Sequence, residues 1–379
     1  MLRPLLTPAL LGSCAALACG TSHALEWRST PAVTVGAGDD SNIWLDPYVD
    51  RRASTSSLTA SADVLASGPG IKLHVEPEVR ALRYANGADA GRNDAFTNAE
   101  LTVTRERDTL TVGSGYRRES TLTSEFIDTG VLGLEDERTE RSATAGWNHI
   151  VGPRGRVSLA ASTVAVNYGS AGAFSPFVDY DYRVVQLGYQ ITTTARAAWV
   201  FSATRSNLDG AITDTTNTAF QARWVRSFSP TLHGEVGVGT FHVRTANRFG
   251  AEQNSGAALS FSVTREWAHW SLQSGGGRDL RPDGRGALVR EDAVTLDALR
   301  RFGPRLRVGL SVRRAQVAAT EELANVYDRD YSQKGVAVEW RMRKRWQLRA
   351  SLQERMQQLP YAPRGSGIGA QVAMTYRGR

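Results

Sequence analysis

The chain has 379 residues, of which 41% are hydrophobic, and its formal net charge is +7. This length exceeds a minimal domain, yet it is short enough to form one large β-barrel. The basic balance favours anionic partners such as phosphate sugars, acidic glycans, nucleic acid or anionic lipid, and it also fits ordinary surface charge. Both cysteines lie within the first 24 residues, so a mature chain that starts after them excludes a disulfide scaffold.

Residues 1–24 have the pattern of a secretory signal peptide. Arg3 supplies the positive start, an apolar and small-residue run follows, and Ser22–Ala24 forms a small-x-small cleavage site. A second interpretation takes Cys14 or Cys19 as a lipid-attachment cysteine. We predict that the signal peptide is removed on export.

The rest of the chain, residues 25–379, is predicted to form a single outer-membrane β-barrel domain. It contains no apolar run of the roughly 20 residues that a transmembrane helix needs. Instead, polar and apolar residues alternate, which is the period of a strand. The segment "RLRVGLSV" places Leu306, Val308 and Leu310 on one face. About eighteen strands follow from this parsing, near 31–45, 55–67, 70–83, 95–106, 109–121, 139–150, 155–167, 180–192, 196–207, 216–228, 231–244, 254–266, 269–278, 287–301, 305–318, 330–343, 345–357 and 365–377.

Short and long connections alternate between these strands. The tight turns lie at 67–70, 107–108, 152–155, 194–196, 229–230, 268–269, 303–305 and 343–345. The longer connections lie at 84–94, 122–138, 168–179, 208–215, 245–253, 279–286, 319–329 and 358–364. Outer-membrane barrels have short periplasmic turns and longer extracellular loops, so this alternation predicts both termini on the periplasmic side. The acidic segment 122–138 is a candidate gate that folds into the lumen.

Tryptophans gather at the predicted short turns. Seven of the nine lie within about five residues of such a turn, namely Trp147, Trp199, Trp224, Trp267, Trp270, Trp340 and Trp346. An indole ring prefers the headgroup layer of a membrane, where its body is apolar and its N–H is wet. A general preference of tryptophan for strands does not explain this clustering. We therefore predict a membrane-interface girdle at the periplasmic side.

The fold class that these patterns predict is all-β, a transmembrane antiparallel β-barrel of about eighteen strands. A soluble β-sandwich would also alternate, but its strands average about five or six residues, whereas those predicted here have 10–15. The final strand, "GIGAQVAMTYRGR", ends with an aromatic residue as outer-membrane barrels typically do. Here Arg377–Arg379 follow that aromatic.

If the apolar faces contact lipid, the opposite faces line a water-filled lumen. Arginine or lysine facing lipid near the midplane would cost about 2–4 kcal/mol per residue. Strands fifteen to seventeen carry most of the predicted basic charge, so one wall of the lumen should attract anions, unless the charges pair with each other. The predicted pore-lining residues are Lys72, Arg80, Arg117, Arg223, Arg307, Arg313, Glu339, Arg341, Arg349 and Arg355.

Motifs of catalysis or metal binding are not found. The histidines after residue 24 form no HxxxH or HExxH pattern, and no G-x-S-x-G elbow or phosphate loop occurs. The segment "GDDSN" at 38–42 fits an Asp/Asn-rich turn, with calcium binding as the alternative. We predict no catalytic, cofactor-binding or metal-binding residues and no enzyme activity. A lone Ser–His pair at the rim, acting on lipid or glycan, remains an open alternative.

The opening of the mature chain, "PAVTVGAGDDSNIW", followed by a strand of small polar residues, resembles the β-barrel porin family associated with exopolysaccharide and capsule operons. The resemblance extends over the mature chain and implies an outer-membrane channel for hydrophilic, anionic solutes or exported polysaccharide. Its implied partners are outer-membrane lipid, the solute and periplasmic export proteins, without nucleic acid or cofactor. A structural or adhesive barrel without an open pore is the competing function, and the oligomeric state stays open.

Overall fold

The computed structural model describes residues 25–49, 51–85, 92–121, 124, 136–169, 177–211, 213–247, 250–320, 328–360 and 362–378. They form eighteen antiparallel strands, each paired with its neighbours in sequence. The last strand also pairs with the first, from Ala32↔Arg377 to Asp40↔Gly369, so the sheet closes into a barrel. The fold class and the strand number predicted from the sequence are confirmed. No helix among the described residues is long and apolar enough to cross a membrane.

The strands are 13 to 17 residues long. They are β1 Glu26–Asp40, β2 Ala53–Gly68, β3 Ile71–Ala85, β4 Arg92–Thr104, β5 Asp108–Ser120, β6 Glu137–Ile150, β7 Gly155–Tyr168, β8 Tyr180–Thr194, β9 Ala197–Gly210, β10 Thr213–Ser229, β11 Leu232–Asn247, β12 Gly250–Glu266, β13 Trp270–Pro282, β14 Leu288–Phe302, β15 Leu306–Ala319, β16 Arg329–Arg341, β17 Trp346–Gln358 and β18 Gly365–Arg377.

Alternation along each strand separates an apolar outer face from a polar inner face. On β15, Leu310 and Val312 point outward and are 50% and 42% exposed, while Ser311 and Arg313 occupy the inner face. The same pattern leaves Leu352 of β17 53% exposed. A surface with this much exposed aliphatic side chain requires an apolar medium around it, because monomeric soluble proteins rarely expose large contiguous apolar patches.

The barrel has two unequal ends. At one end, here called the turn end, each connection has two to four residues, as between β2 and β3. The opposite end, here called the loop end, carries the longer connections, including 41–52 and 121–136. Two of the predicted long connections are wrong. The strands continue through polar Thr and Asn residues, which leaves only residues 211–212 and 248–249 between them.

Candidate functional site: the barrel lumen

Backbone pairing fixes which side chains share the lumen. Arg80 of β3 lies opposite Thr59 of β2 and Asp94 of β4, while the neighbouring Val79 points outward and is 58% exposed. The same parity places all ten predicted pore-lining residues on the inner faces of their strands. Their position on these faces follows from the two-residue period of a strand.

A polar cavity of about 1000 Å³ occupies part of this lumen. Arg80, Glu339 and Arg349 line it, together with Glu78, Asp297 and many Gln, Ser and Thr side chains from β1–β3 and β12–β18. The residues that line it include no aromatic side chain. Its wall therefore offers hydrogen bonds and charges to a solute rather than stacking surfaces.

Four of the predicted lumen cations are neutralised by carboxylates. Arg80 lies 3.0 Å from Glu78, and Arg223 lies 3.7 Å from Glu235. Arg313 contacts Glu291 at 2.7 Å, and Arg281 shares the same carboxylate at 2.6 Å. The fourth pair joins Arg355 of β17 to Asp40 of β1. Arg80, Arg223 and Arg355 are balanced by their partners, whereas the group of Arg281, Arg313 and Glu291 holds two cations and one carboxylate.

The other lumen cations have no such partner. Within the described part of the chain, no ion pair is formed by Lys72, Arg117, Arg307, Arg341 or Arg349. Arg307, Arg341 and Arg349 lie close to the turn end of three adjacent strands. Glu339 is opposite both Arg307 and Arg349 in the register, without an ion pair to either, and Arg341 follows two residues after it, so three arginines lie near one carboxylate. We call Arg307, Arg341 and Arg349 the basic wall.

At the loop end, the β1–β2 connection folds across the inner surface. Trp44 and Leu45 reach past β18 and β17 and pack against Ala293, Ala315 and Tyr331. Leu45 is only 2% exposed and has a φ of 49°, in the left-handed region that few side chains adopt.

Internal hydrogen bonds and a glycine on β18 keep this segment in place. The side-chain amide of Asn42, a residue that is 1% exposed, donates to the backbone carbonyl of Asp46 at 2.9 Å. The segment crosses β18 at Gly365, where any Cβ would overlap the carbonyl oxygen of Leu45. Glycine at this position is therefore required by the close approach of the two chains.

A second connection, residues 283–287 between β13 and β14, packs against the loop ends of β8–β10. The backbone N–H of Val178 donates to the carbonyl of Gly284 at 3.0 Å, and the Thr213 hydroxyl donates to that of Gly286 at 3.0 Å. The backbone N–H groups of Arg285 and Ala287 each donate to Asp283 at 3.0 Å. Burial raises the pKa of the Asp283 carboxyl above its usual value.

An apolar cluster lies beside this connection, inside the barrel. It consists of Val166, Tyr168, Phe177, Tyr180, Leu208, Phe241, Val243 and Leu288. The sequence analysis predicted a water-filled lumen and did not anticipate this cluster. The signal was present as apolar residues on lumen positions near the loop end of β7–β11, such as Val243 beside Phe241. The lumen is therefore narrowed at the loop end.

The predicted gate, 122–138, lies largely outside the described residues. Its base is held by two hydrogen bonds. The backbone N–H of Thr121 donates to the carbonyl of Asp136, and the N–H of Asp136 donates to the hydroxyl of Thr121, both at 2.9 Å. The inward segments that the structure describes are 41–49 and 283–287 instead.

The seven predicted girdle tryptophans all lie at the turn end. Six of them are 37% to 47% exposed, namely Trp147, Trp199, Trp267, Trp270, Trp340 and Trp346. The seventh, Trp224, packs edge-on against Phe228, with 6.0 Å between the two ring centroids. Trp27 of β1 lies at the same end and is 63% exposed, although sequence reasoning did not include it. Trp44 is at the loop end and packs inward.

Arginines stack on several of these rings. The guanidinium of Arg265 lies 4.6 Å from the Trp267 ring centre, and that of Arg300 lies 4.8 Å from Trp270. Arg226 lies 5.6 Å from Trp224. These cation–π contacts fix positive charge beside indole rings on the outer rim of the turn end.

A closed eighteen-stranded antiparallel barrel of this kind is the fold of outer-membrane porins. Similar solved structures include Pseudomonas aeruginosa OccK9 (OpdG), with a TM-score of 0.51, 13% identity, and coverage of 93% of this chain and 98% of that one. OccK2 (OpdF) from the same organism, in complex with glucuronate, has a TM-score of 0.53, 13% identity, and coverage of 93% and 96%. OpdK with vanillate has a TM-score of 0.50, 11% identity, and coverage of 92% and 98%. No family model and no curated protein matches the sequence.

Proposed function

We propose that the protein is an outer-membrane channel that passes small hydrophilic anions through a partly arginine-lined lumen. The basic wall carries this proposal, because three arginines lie near a single carboxylate there, whereas Arg80, Arg223, Arg313 and Arg355 each contact a carboxylate. The fold shared with porins supports it. So do the glucuronate and vanillate named for two similar structures, since both ligands are carboxylates.

The mechanism is passive. Water fills the polar cavity, and the guanidinium groups lower the electrostatic barrier for an anion as it passes. A guanidinium fork can bind a carboxylate with two parallel hydrogen bonds, which also orients the solute. Because Glu339 lies beside Arg349, it repels the anion and weakens its binding to the basic wall. An anion that enters can therefore also leave.

The loop end favours small solutes over an exported polymer. Segments 41–49 and 283–287 pack onto different parts of the wall there and reduce the free cross-section. A polysaccharide would have to displace them or pass in a thin extended form. The apolar cluster beside 283–287 favours a second candidate, a structural or adhesive barrel that is closed to ions.

The turn end belongs to the periplasm in this proposal, with the loops outside the cell. The tryptophan rim with its stacked arginines suits the headgroup layer of the inner leaflet, where indole and phosphate meet. The signal peptide at 1–24 would deliver the chain to the Gram-negative outer membrane. Outer-membrane lipid is then a partner, and periplasmic export proteins are further candidates.

The test is single-channel conductance of refolded residues 25–379 in a planar bilayer under a salt gradient. We expect discrete current steps with a reversal potential that reports anion preference. The double variant Arg341→Glu/Arg349→Glu should lower the anion-to-cation permeability ratio at least about threefold, because a unit charge about 4 Å from an ion changes its energy by roughly 1 kcal/mol even in water.

The matched control is Arg154→Glu/Arg196→Glu, which makes the same change of charge in turns away from the basic wall. It should keep the selectivity of the unmodified protein. Equal shifts in both double variants would refute the basic wall as the selective element. A folded barrel that gives no current would favour the closed structural barrel.

A further inference from the structure

Three potential metal ligands meet on the lumen wall formed by β2 and β3. Asp63, His74 and Glu76 each offer one ligand atom, and all three atoms lie within 4.8 Å of one another. The His74 Nε2 atom lies 3.0 Å from Asp63 Oδ1 and 3.7 Å from Glu76 Oε1. One imidazole nitrogen and two carboxylate oxygens therefore face a shared point.

These distances suit a tetrahedral metal ion. Zn²⁺ binds imidazole nitrogen and carboxylate oxygen at about 2.0–2.2 Å, which separates neighbouring ligand atoms by about 3.4 Å in tetrahedral geometry. The two distances measured from His74 Nε2 lie on either side of that value. Only small side-chain rotations are needed to bring the three atoms around one ion.

Without a cation, this arrangement is poorly satisfied. The Nε2 atom of His74 carries at most one proton, so it can donate a good hydrogen bond to one carboxylate only. The second carboxylate then lies near the first with like charge, which is unfavourable. A divalent ion would bind both carboxylates and the lone pair of neutral His74 together.

The ladder between β2 and β3 is interrupted at this point, although its register does not change. The β2–β3 register runs to Ser61↔Glu78 and resumes at Val64↔Val75, so the pairs expected for Asp63 and Glu76 are missing. Pro77 lies within this gap and has no N–H to donate to the ladder. The loosened ladder gives the two carboxylates freedom to close around an ion.

The surroundings are acidic and open to water. Glu100 of β4 lies opposite His74, and Asn98 lies opposite Glu76, so further oxygen ligands are within the same wall. The side chains of Asp63, Glu76 and His74 are 62%, 54% and 33% exposed, so a hydrated ion in the lumen can reach them.

We propose that Asp63, His74 and Glu76 form a binding site for a divalent transition-metal cation of the Zn²⁺ class, with water completing its coordination. An imidazole ligand favours Zn²⁺ over Mg²⁺ and Ca²⁺, which prefer oxygen. The site lies near the turn end of β3, a few residues from Ile71, and bound metal would cancel negative charge there.

The experiment is calorimetric titration of ZnCl₂ into the refolded barrel in detergent micelles after chelator treatment. We expect saturable binding of one Zn²⁺ per barrel, with MgCl₂ giving none. His74→Asn should weaken Zn²⁺ binding at least about tenfold, because even the outer-shell partners of a metal site contribute 10–100-fold in affinity. Asp63→Asn is a second variant that keeps the histidine, should His74→Asn fail to fold.

His233→Asn is the matched control. His233 also lies on the lumen face near the turn end, but its partner is the hydroxyl of Ser227 at 3.0 Å. It should bind Zn²⁺ as the unmodified barrel does. Absence of saturable binding, or equal binding by His74→Asn, would overturn the site. The titration needs no current, so its outcome is independent of whether the barrel conducts.

Discussion

The ion pair between Arg355 and Asp40 shows how the role of one side chain can depend on closure of the barrel. Its members are separated by 315 positions in the chain and meet only because β18 joins β17 to β1. Their side chains are 12% and 16% exposed, so water screens the charges poorly. Alternation predicted that Arg355 faces inward, but its partner depends on closure of the whole barrel, which no local pattern contains.

We expect Arg355→Ala to lower the free energy of unfolding by about 3 kcal/mol, since it leaves the buried carboxylate of Asp40 without its cation. Urea unfolding of the refolded barrel in detergent measures this change. Arg183→Ala is the control, because Arg183 and Asp181 are 3.7 Å apart with side chains 63% and 47% exposed. Equal effects of the two substitutions would contradict the importance of burial.

The grouping of Asp63, His74 and Glu76 was not predictable from their spacing in the sequence. His74 and Glu76 are two residues apart, which brings side chains to one face of a strand, and the third ligand comes from the neighbouring strand. Motifs such as HxxxH describe helical spacing, so their absence led to the expectation of no metal site. The two-residue period does place His74 and Glu76 on the same face of β3.

At the scale of elements, the strands were easier to predict than the segments between them. A strand crossing a membrane must alternate along its length, so the pattern is local and repeated. The segment 38–42 was interpreted as a turn, but residues 38–40 belong to β1 and the chain turns only after them, where the Asn42 side chain hydrogen-bonds to the backbone of Asp46. That the turn folds inward depends on Gly365 and Tyr331, which are far away in the chain.

We expect Gly365→Ala to displace the segment 41–49 from β18 and to increase single-channel conductance, because Leu45 occupies the space that the new Cβ needs. The measurement compares conductance steps at equal salt. Gly146→Ala is the control, since a Cβ at Gly146 would have no atom within 4 Å. A folded Gly365→Ala barrel with unchanged conductance would show that this segment does not narrow the path.

At the scale of the whole molecule, the fold is shared far more widely than the sequence. Identities of 10% to 13% accompany coverage of 92% or more of this chain by similar barrels. The outer surface explains this, because lipid requires only that outward positions be apolar and that aromatic residues lie near the interfaces. The lumen has no such uniform requirement.

The distribution of tryptophan gives the last prediction. Eight of the nine tryptophans lie at the turn end and one, Trp44, packs inside the loop end. If the turn-end rim lies in the headgroup layer, lipids brominated near the headgroup should quench the fluorescence of the barrel more than lipids brominated near the acyl terminus.

Trp44→Phe should leave the ratio of these two quenching efficiencies unchanged. Trp267→Phe/Trp270→Phe should reduce the quenching by lipids brominated near the headgroup. Stronger quenching by the deep bromine would place the rings in the hydrocarbon core. The prediction of an interface girdle would then be wrong for Trp147, Trp199, Trp224, Trp267, Trp270, Trp340 and Trp346.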